Sequence, residues 1–335
     1  MTIREQLEAR ELEYLSLYAT KSKNSAGRKV KEEPCDIRPA FQRDRDRIIH
    51  CKSFRRLKHK TQVFLQPKGD HYRTRLTHTL EVSQTSRTIA KALCLNEDLV
   101  EAISLGHDLG HTPFGHAGER ALNQVCPLGF GHSEQSVRVV EKLEKEGKGL
   151  NLTAEVIDGI RNHQTAGSPV TPEGQVVQLC DKIAYIHHDI DDAIRGGILF
   201  EADIPPKFKK VLGNTSKERL STMIHDVIAQ SVGKPRISMS EEVEEAMRGL
   251  RKFMFENVYL NPIAKSEEGR AIKMIQSLYE YYIEHFEQLP EEYLRMAEMD
   301  GEQKEQVVCD YIAGMTDNYA VKTFQKIFIP ESWKI

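Results

Sequence analysis

One stretch decides the fold of this chain: residues 107–119 read HDLGHTPFGHAGE. Three histidines and two carboxylates fall within a segment that otherwise has the pattern of one helix ending, a tight loop and a second helix beginning. Residues 102–106 lead into it with apolar spacing suited to a buried helix, Gly110 suits the end of that helix, and Pro113 cannot continue it. This density of ionisable side chains between two helices predicts a functional site rather than part of an apolar core.

The adjacent residues His107 and Asp108 suggest a metal site. They point in different directions from one helix, so both reach one ion only if it lies beside the helix axis between them. Further ligands must come from elsewhere, and His78 and Asp181 are the candidates, because each lies in an apolar helical segment where a polar group is costly unless it is paired or ligated. Singly, such residues are more often core or cap residues. Their order along the chain favours a shared metal site.

This order of His, His-Asp and Asp resembles the HD superfamily of metal-dependent phosphohydrolases, and within it the deoxynucleoside triphosphate triphosphohydrolases. The resemblance is dense over residues 34–200. It continues more loosely through residues 253–259 and 310–317. The segments that narrow the resemblance to the triphosphohydrolase branch are residues 41–47, 56–63 and 111–119.

The resemblance implies an all-α fold with an HD-type helical core and an additional helical C-terminal region. At most a small β-hairpin is expected near residues 61–75. The charge pattern predicts an N-terminal helix over 3–18 and a basic helix over 41–60, separated by a polar loop at 21–28. Apolar spacing predicts further helices near residues 77–94, 97–110, 115–125, 133–146, 153–162 and 175–194.

Three domains are predicted from these patterns. Residues 1–33 form an N-terminal helix and polar loop, and residues 34–200 form the metal-dependent phosphohydrolase core. Residues 201–335 carry no catalytic constellation of their own. We expect this last region to be helical, to complete the pocket and to supply contacts in an oligomer.

Composition limits the class of protein. With 39% hydrophobic and 29% charged residues, the chain of 335 residues is ordinary for a soluble protein, and it has no run near the ~18 apolar residues of a membrane helix. Its N-terminus lacks the apolar segment of a signal peptide, and its six cysteines show no close pairing motif. We therefore expect a cytoplasmic protein with reduced thiols and no membrane partner.

Charge is distributed unevenly along the chain. The net charge of −3 argues against general coating of nucleic acid. Residues 41–75, however, contain eleven Lys and Arg side chains against three Asp. A solvated basic face is the ordinary explanation, but this cluster directly precedes His78 and so favours binding of a polyphosphate.

Two imidazoles and two carboxylates suit one borderline divalent ion per subunit, such as Mn, Fe, Co, Ni or Zn, with Mg as a further candidate. An additional Mg is expected with the nucleotide. Asp181, Tyr185 and Asp189 recur every four residues, so a helix lines them along one face. The resemblance implies that Tyr185, Asp189 and Gln62 contact the deoxyribose, the last two near its 3′-hydroxyl. Tyr185 against C2′ excludes a ribonucleotide sterically, although alone it has the pattern of a core aromatic.

Cations and histidines complete the predicted site. Arg75 lies three residues before His78 and can bind a phosphate bidentately, and Lys182 is the second cation. The resemblance implies phosphate or water contacts for His111 and His132.

His116 and Glu119 are three residues apart near a helix start. There the carboxylate can orient the imidazole and hold it protonated, as a general acid requires.

The reaction that the resemblance implies is hydrolysis at the α-phosphorus of a deoxynucleoside triphosphate, which releases deoxynucleoside and intact triphosphate. Two alternatives stay open. The first is an HD-type nucleotidase or phosphodiesterase that acts on another nucleotide, and the second is a protein that senses deoxynucleotides or binds single-stranded nucleic acid. Because members of the family that this chain resembles form tetramers or hexamers, a homo-oligomer is expected.

Overall fold

The computed structural model describes residues 1–62, 72–259 and 267–330. The all-α prediction is confirmed: these ranges contain no β-strand, and their only bridges are isolated pairs, Arg28 with Thr153 and Thr61 with Thr74. Residues 63–71, most of the predicted hairpin, lie outside the described residues. Within the described ranges, no helix is both long and apolar enough to cross a membrane.

The described residues of the first half form eight α-helices of five or more residues. They are α1 (Ile3–Tyr14), α2 (Ala40–Ile49), α3 (Lys52–Arg56), α4 (Arg75–Ala92), α5 (Glu97–Gly106), α6 (Gly115–Val125), α7 (His132–Arg138) and α8 (Ala154–Arg161).

The second half begins with the long helix that carries Asp181. Its helices are α9 (Pro172–Arg195), α10 (Pro206–Leu212), α11 (Ser216–Ser231), α12 (Glu241–Met254), α13 (Glu268–Glu284), α14 (Glu291–Asp300), α15 (Lys304–Ala313) and α16 (Asp317–Phe328).

Helix α5 is the centre of the fold, and it packs against α2, α4, α8 and α9. Its contact with α8 depends on two glycines. A Cβ atom on Gly106 would lie 2.5 Å from Cδ1 of Ile160, and one on Gly159 would lie 2.5 Å from Cδ1 of Ile103. The two helices therefore approach more closely than larger residues allow, and His107 at the end of α5 is fully buried.

Residues 107–119 lie between two apolar cores. Leu105 and Leu109 belong to the first core, which also takes in residues of α12. Phe114 and Ala117 belong to the second core, together with residues of α13 and α15. Helices from both sides of residue 200 therefore share the first core, and the three-domain division stays a prediction.

Several predicted helices end earlier in the structure, and one of them does so because of a contact with a distant part of the chain. Helix α1 stops at Tyr14 rather than at residue 18. The basic helix predicted over 41–60 is interrupted at His50 and Cys51, because the Glu144 carboxylate accepts hydrogen bonds from the backbone N–H groups of Lys52 and Ser53 and so caps a new helix, α3. The helix predicted over 133–146 gives way after Arg138 to a wider turn at Val139–Leu143.

Candidate active site

The His107-Asp108 pair follows the last turn of α5, as predicted, and α7 holds it in place. Helix α5 ends at Gly106 rather than at residue 110, and His107 caps it. The Ser136 hydroxyl donates to the carbonyl of His107 (2.7 Å) and accepts from the N–H of Gly110 (2.9 Å). A Cβ on Gly110 would lie 2.2 Å from the Ser136 nitrogen, so glycine is required at this close approach.

The four predicted metal ligands converge. The Nδ1 of His107 donates to the carbonyl of Ser104 (2.6 Å), which leaves its buried Nε2 with a free lone pair and no hydrogen-bond partner. This Nε2 lies 3.5 Å from Oδ1 of Asp108 and 3.7 Å from Oδ1 of Asp181. The latter oxygen lies 3.1 Å from Nε2 of His78. Ligands ~2.1 Å from one ion are separated by distances of this order, so the residues fit a divalent cation.

Both carboxylates of this cluster are held in the ionised form. Burial opposes ionisation of Asp108, but the neighbouring side chains of His107, His111 and Arg75 outweigh it and hold its pKa well below the usual range. Burial also opposes ionisation of Asp181, but its hydrogen bond with His78 and the proximity of His107 lower its pKa nonetheless. The cluster thus offers two anionic oxygens to a cation at neutral pH.

Arg75 and His111 both contact Asp108. The Arg75 guanidinium donates to Oδ2 of Asp108 (2.8 Å), and Nε2 of His111 lies 3.2 Å from Oδ1. Burial and the nearby charge of Arg75 place the pKa of His111 well below its usual value. His111 is therefore neutral and contacts Asp108, and its phosphate or water contact stays a prediction.

Glu119, near the start of α6, contacts two histidines. Its Oε2 lies 3.0 Å from Nδ1 of His116, as the three-residue spacing predicts. Its Oε1 accepts from Nδ1 (2.8 Å) and from the backbone N–H (2.9 Å) of His132. Although burial opposes ionisation, these histidines hold the pKa of Glu119 well below its usual range. The second contact, to His132, is not apparent from the sequence.

A cavity of about 350 Å³ connects these groups. Ten of the thirteen predicted site residues line it, whereas His107, Glu119 and Asp189 lie behind its wall. The ten are Gln62, Arg75, His78, Asp108, His111, His116, His132, Asp181, Lys182 and Tyr185.

Sequence reasoning missed five lining residues, namely His163, Gln164, Thr165, Ala166 and Arg251. The first four follow α8. The only hint of them in the sequence is the adjacent pair His163 and Gln164 after that helix. Arg251 lies on α12, where the sequence shows no sign of a site.

Asp189 does not line the cavity in this structure, and its predicted contact with the sugar stays a prediction. It shares a helix face with Asp181 and Tyr185, but it is fully buried and accepts a hydrogen bond from the hydroxyl of Tyr259 instead of lining the cavity. The rings of Tyr185 and Tyr259 lie 5.5 Å apart. Tyr259 lies outside the predicted phosphohydrolase core, residues 34–200. Local helical spacing therefore cannot predict that it packs against Asp189. Burial raises the pKa of Asp189 to about 7.

Asp189→Asn is expected to reduce the pH dependence of stability. Folding raises the pKa of Asp189 from 3.8 to about 7, so the folded protein retains a proton that the unfolded chain loses. Its stabilising contribution is fully present below about pH 4 and is lost as pH rises through about 7, by at most about 4 kcal/mol in the free energy of unfolding. Thermal unfolding at about pH 5 and about pH 8 checks this. Equal pH responses of wild type and variant would contradict it.

Two matches define the class of protein. Residues 75–186 match the HD domain, and residues 237–326 match a phosphohydrolase-associated domain. The chain is thus an HD-domain phosphohydrolase.

Curated relatives define the family within this class. A deoxyguanosinetriphosphate triphosphohydrolase-like protein of Caldanaerobacter subterraneus subsp. tengcongensis is 59% identical over 99% of this chain and 98% of its own length. One of Clostridium perfringens is 51% identical over 99% of both chains. The chain belongs to the family of deoxyguanosinetriphosphate triphosphohydrolase-like proteins.

Among solved structures, a phosphohydrolase from Bacteroides thetaiotaomicron shares the fold. It is 20% identical, with a TM-score of 0.54, over 85% of this chain and 68% of its own.

Proposed function

We propose that the protein is a metal-dependent triphosphohydrolase that converts deoxynucleoside triphosphates to deoxynucleoside and inorganic triphosphate. The observation that carries the proposal is one cavity lined by His78, Asp108 and Asp181, by the cations Arg75 and Lys182, and by His116. The relatives are named deoxyguanosinetriphosphate triphosphohydrolase-like proteins, which supports a triphosphohydrolase reaction.

The residues that would hold the metal are His78, His107, Asp108 and Asp181. When bound, a divalent ion supplies electrophilic assistance at a phosphate oxygen and acidifies a water molecule. The buried lone pair of His107 Nε2 and the two ionised carboxylates are the features that fit it.

The cations of the cavity would bind the triphosphate. Arg75 is buried and fixed by Asp108, so its guanidinium keeps one orientation. Lys182 and Arg251 line the same cavity from α9 and α12. Burial lowers the pKa of Lys182. Positive charge on three separate elements offsets the charge that accumulates on a departing triphosphate.

His116 would donate the proton that the 5′-oxygen needs in order to leave. Its side chain is 49% exposed, so it can reach a substrate that enters from solvent. Its Nδ1 contacts the ionised Glu119, which leaves Nε2 available to donate toward the substrate. Glu119 therefore acts as a positioning residue for both His116 and His132.

Tyr185→Ala is expected to weaken discrimination between deoxyribose and ribose. Tyr185 lines the cavity next to Asp181, and its ring is supported by Tyr259. Removal of the ring would open space at C2′, and loss of a steric contact of this size is worth roughly 10–200-fold in specificity. The ratio of kcat/KM for a deoxynucleotide to that for its ribonucleotide measures the effect. Tyr281→Ala, outside the cavity, is the control, and an unchanged ratio in Tyr185→Ala would place sugar selection elsewhere.

The reaction itself is tested by separating the products. Each of the four deoxynucleoside triphosphates is incubated with the protein and Mn²⁺ or Mg²⁺, and the products are resolved chromatographically. We expect deoxynucleoside and triphosphate in equal amounts. Pyrophosphate with a nucleoside monophosphate would contradict the proposal, as would stepwise release of phosphate.

A further inference from the structure

A buried carboxylate of the C-terminal region contacts the two segments that carry Gln62 and His116. Asp317 is the first residue of α16, and it is only 5% exposed and lies outside the cavity. Its Oδ2 accepts hydrogen bonds from the backbone N–H of Thr61 (2.9 Å) and from the Thr61 hydroxyl. Its Oδ1 accepts from the backbone N–H of Phe114 (3.0 Å). One side chain therefore connects the residue before Gln62 to the start of α6.

The backbone of Phe114 explains why this contact is needed. Phe114 has φ 62° and ψ 24°, a left-handed conformation that strains any residue with a bulky side chain. A glycine would relieve the strain, but it would also remove a buried side chain from the second apolar core. Phe114 directly precedes α6, and His116 is the second residue of that helix. The hydrogen bond to Asp317 therefore fixes the strained peptide from which α6 begins.

The two segments also pack directly against each other. A Cβ atom on Gly115 would lie 3.4 Å from the carbonyl oxygen of Gln62. Lys60 adds a second connection, because its buried ammonium donates to the carbonyl of His111 and to that of Ala313 (2.8 Å). The end of α15 and the start of α16 therefore hold both segments, one through a cation and the other through a carboxylate.

We propose that Asp317 is a positioning residue that holds His116 against the 5′-oxygen of the substrate and holds Gln62 in the same cavity. The contact between His116 and Glu119 lies within α6, so it fixes the imidazole relative to that helix but not the helix relative to the cavity. Asp317 supplies that placement through the strained peptide. Oε1 of Gln62 is buried and has no hydrogen-bond partner, as suits a group that awaits a substrate hydroxyl. This inference rests on the proposed function.

The step that depends on this placement is the departure of the deoxynucleoside. As water attacks the α-phosphorus, the bond from phosphorus to the 5′-oxygen breaks and its electron pair stays on that oxygen, which takes the proton from His116. A sulfur atom in place of the 5′-oxygen leaves as a thiolate, because a thiol, with a pKa of about 8.5, is a far stronger acid than an alcohol. A 5′-thio analogue keeps the base, the sugar ring and the triphosphate but needs no general acid.

Single-turnover rates of the full chain with a deoxynucleoside triphosphate and with its 5′-thio analogue test the proposal. We expect Asp317→Ser, which removes both carboxylate oxygens, to lower the rate with the oxygen substrate by roughly 10–100-fold and the rate with the analogue by less than ~3-fold. His116→Ala should show the same selectivity. Asp310→Asn is the matched control, because Asp310 is a buried carboxylate of α15 that pairs with Gln135 and Arg138 instead. It should leave the ratio of the two rates as in wild type.

A second variant guards against loss of the fold, which circular dichroism monitors. Asp317→Asn keeps the size of the side chain but can accept from only one of the two N–H groups, so it should show a smaller selective loss. Equal losses with both substrates in the folded variants, wild-type rates, or unfolding of both variants would overturn the positioning role. Failure of the proposed function has a different result: wild type would release products other than triphosphate, or His116→Ala would slow both substrates equally.

Discussion

Asp108→Ala is expected to remove bound metal and activity together. Asp108 contacts His107, His111 and Arg75, and its ionised carboxylate is the negative charge at the centre of the cluster. Loss of residues that only support metal ligands costs about 10–100-fold in metal affinity or activity, so loss of a ligand should cost more than ~100-fold. Elemental analysis and kcat, measured on the same preparation, check both effects.

Two further variants make this result interpretable. Asp108→Ala leaves Arg75 buried without its partner, so circular dichroism must establish that the variant is folded. Asp108→Asn keeps the shape of the side chain and removes only its charge, and we expect it to lose metal as well. Asp36→Ala, an exposed carboxylate far from the cavity, should behave as wild type. Full metal occupancy in folded Asp108→Ala would overturn the ligand assignment.

His116→Ala is expected to lower turnover by roughly 10²–10⁴-fold while metal and substrate still bind. The reason is that His116 would supply the proton for the leaving 5′-oxygen and is not one of the four proposed metal ligands. Single-turnover rates, substrate affinity and metal content on one preparation measure the effect. Glu119→Gln should cost less, because it leaves the imidazole of His116 in place and changes only its orientation and charge partner.

The matched control for His116 is His225→Ala, which removes an exposed histidine from α11. It should leave turnover unchanged. A fall in metal content in His116→Ala would make this residue a ligand, and wild-type turnover in the folded variant would rule out a general acid at this position.

Local patterns predicted the parts of the site that are close in sequence. The position of the His107-Asp108 pair near a helix end, the contact between His116 and Glu119, and the cavity-lining face of α9 at Asp181 and Tyr185 follow from helical spacing, although the first of these helices was expected to run to residue 110. The convergence of His78 and Asp181 on that pair followed from the order of residues in the resembling family, since no local spacing connects them.

Contacts between distant segments could not be predicted in this way. Tyr259 covers Asp189, Arg251 enters the cavity from α12, and His163 faces His132 from the turn after α8. Each depends on how two helices pack, and a periodic pattern specifies which face is buried but not which partner covers it. The interruption after α2 has the same origin, because Glu144 caps α3 from more than ninety residues away.

The position of isotope from labelled water tests the central claim most directly. The protein is incubated with a deoxynucleoside triphosphate in water enriched in oxygen-18, and the products are analysed by mass spectrometry, with Asp108→Ala as the control for contaminating phosphatases. Attack of water at the α-phosphorus with departure of the 5′-oxygen predicts label in intact triphosphate and none in the deoxynucleoside. Label in the deoxynucleoside hydroxyl, in pyrophosphate or in a nucleoside monophosphate would contradict the account.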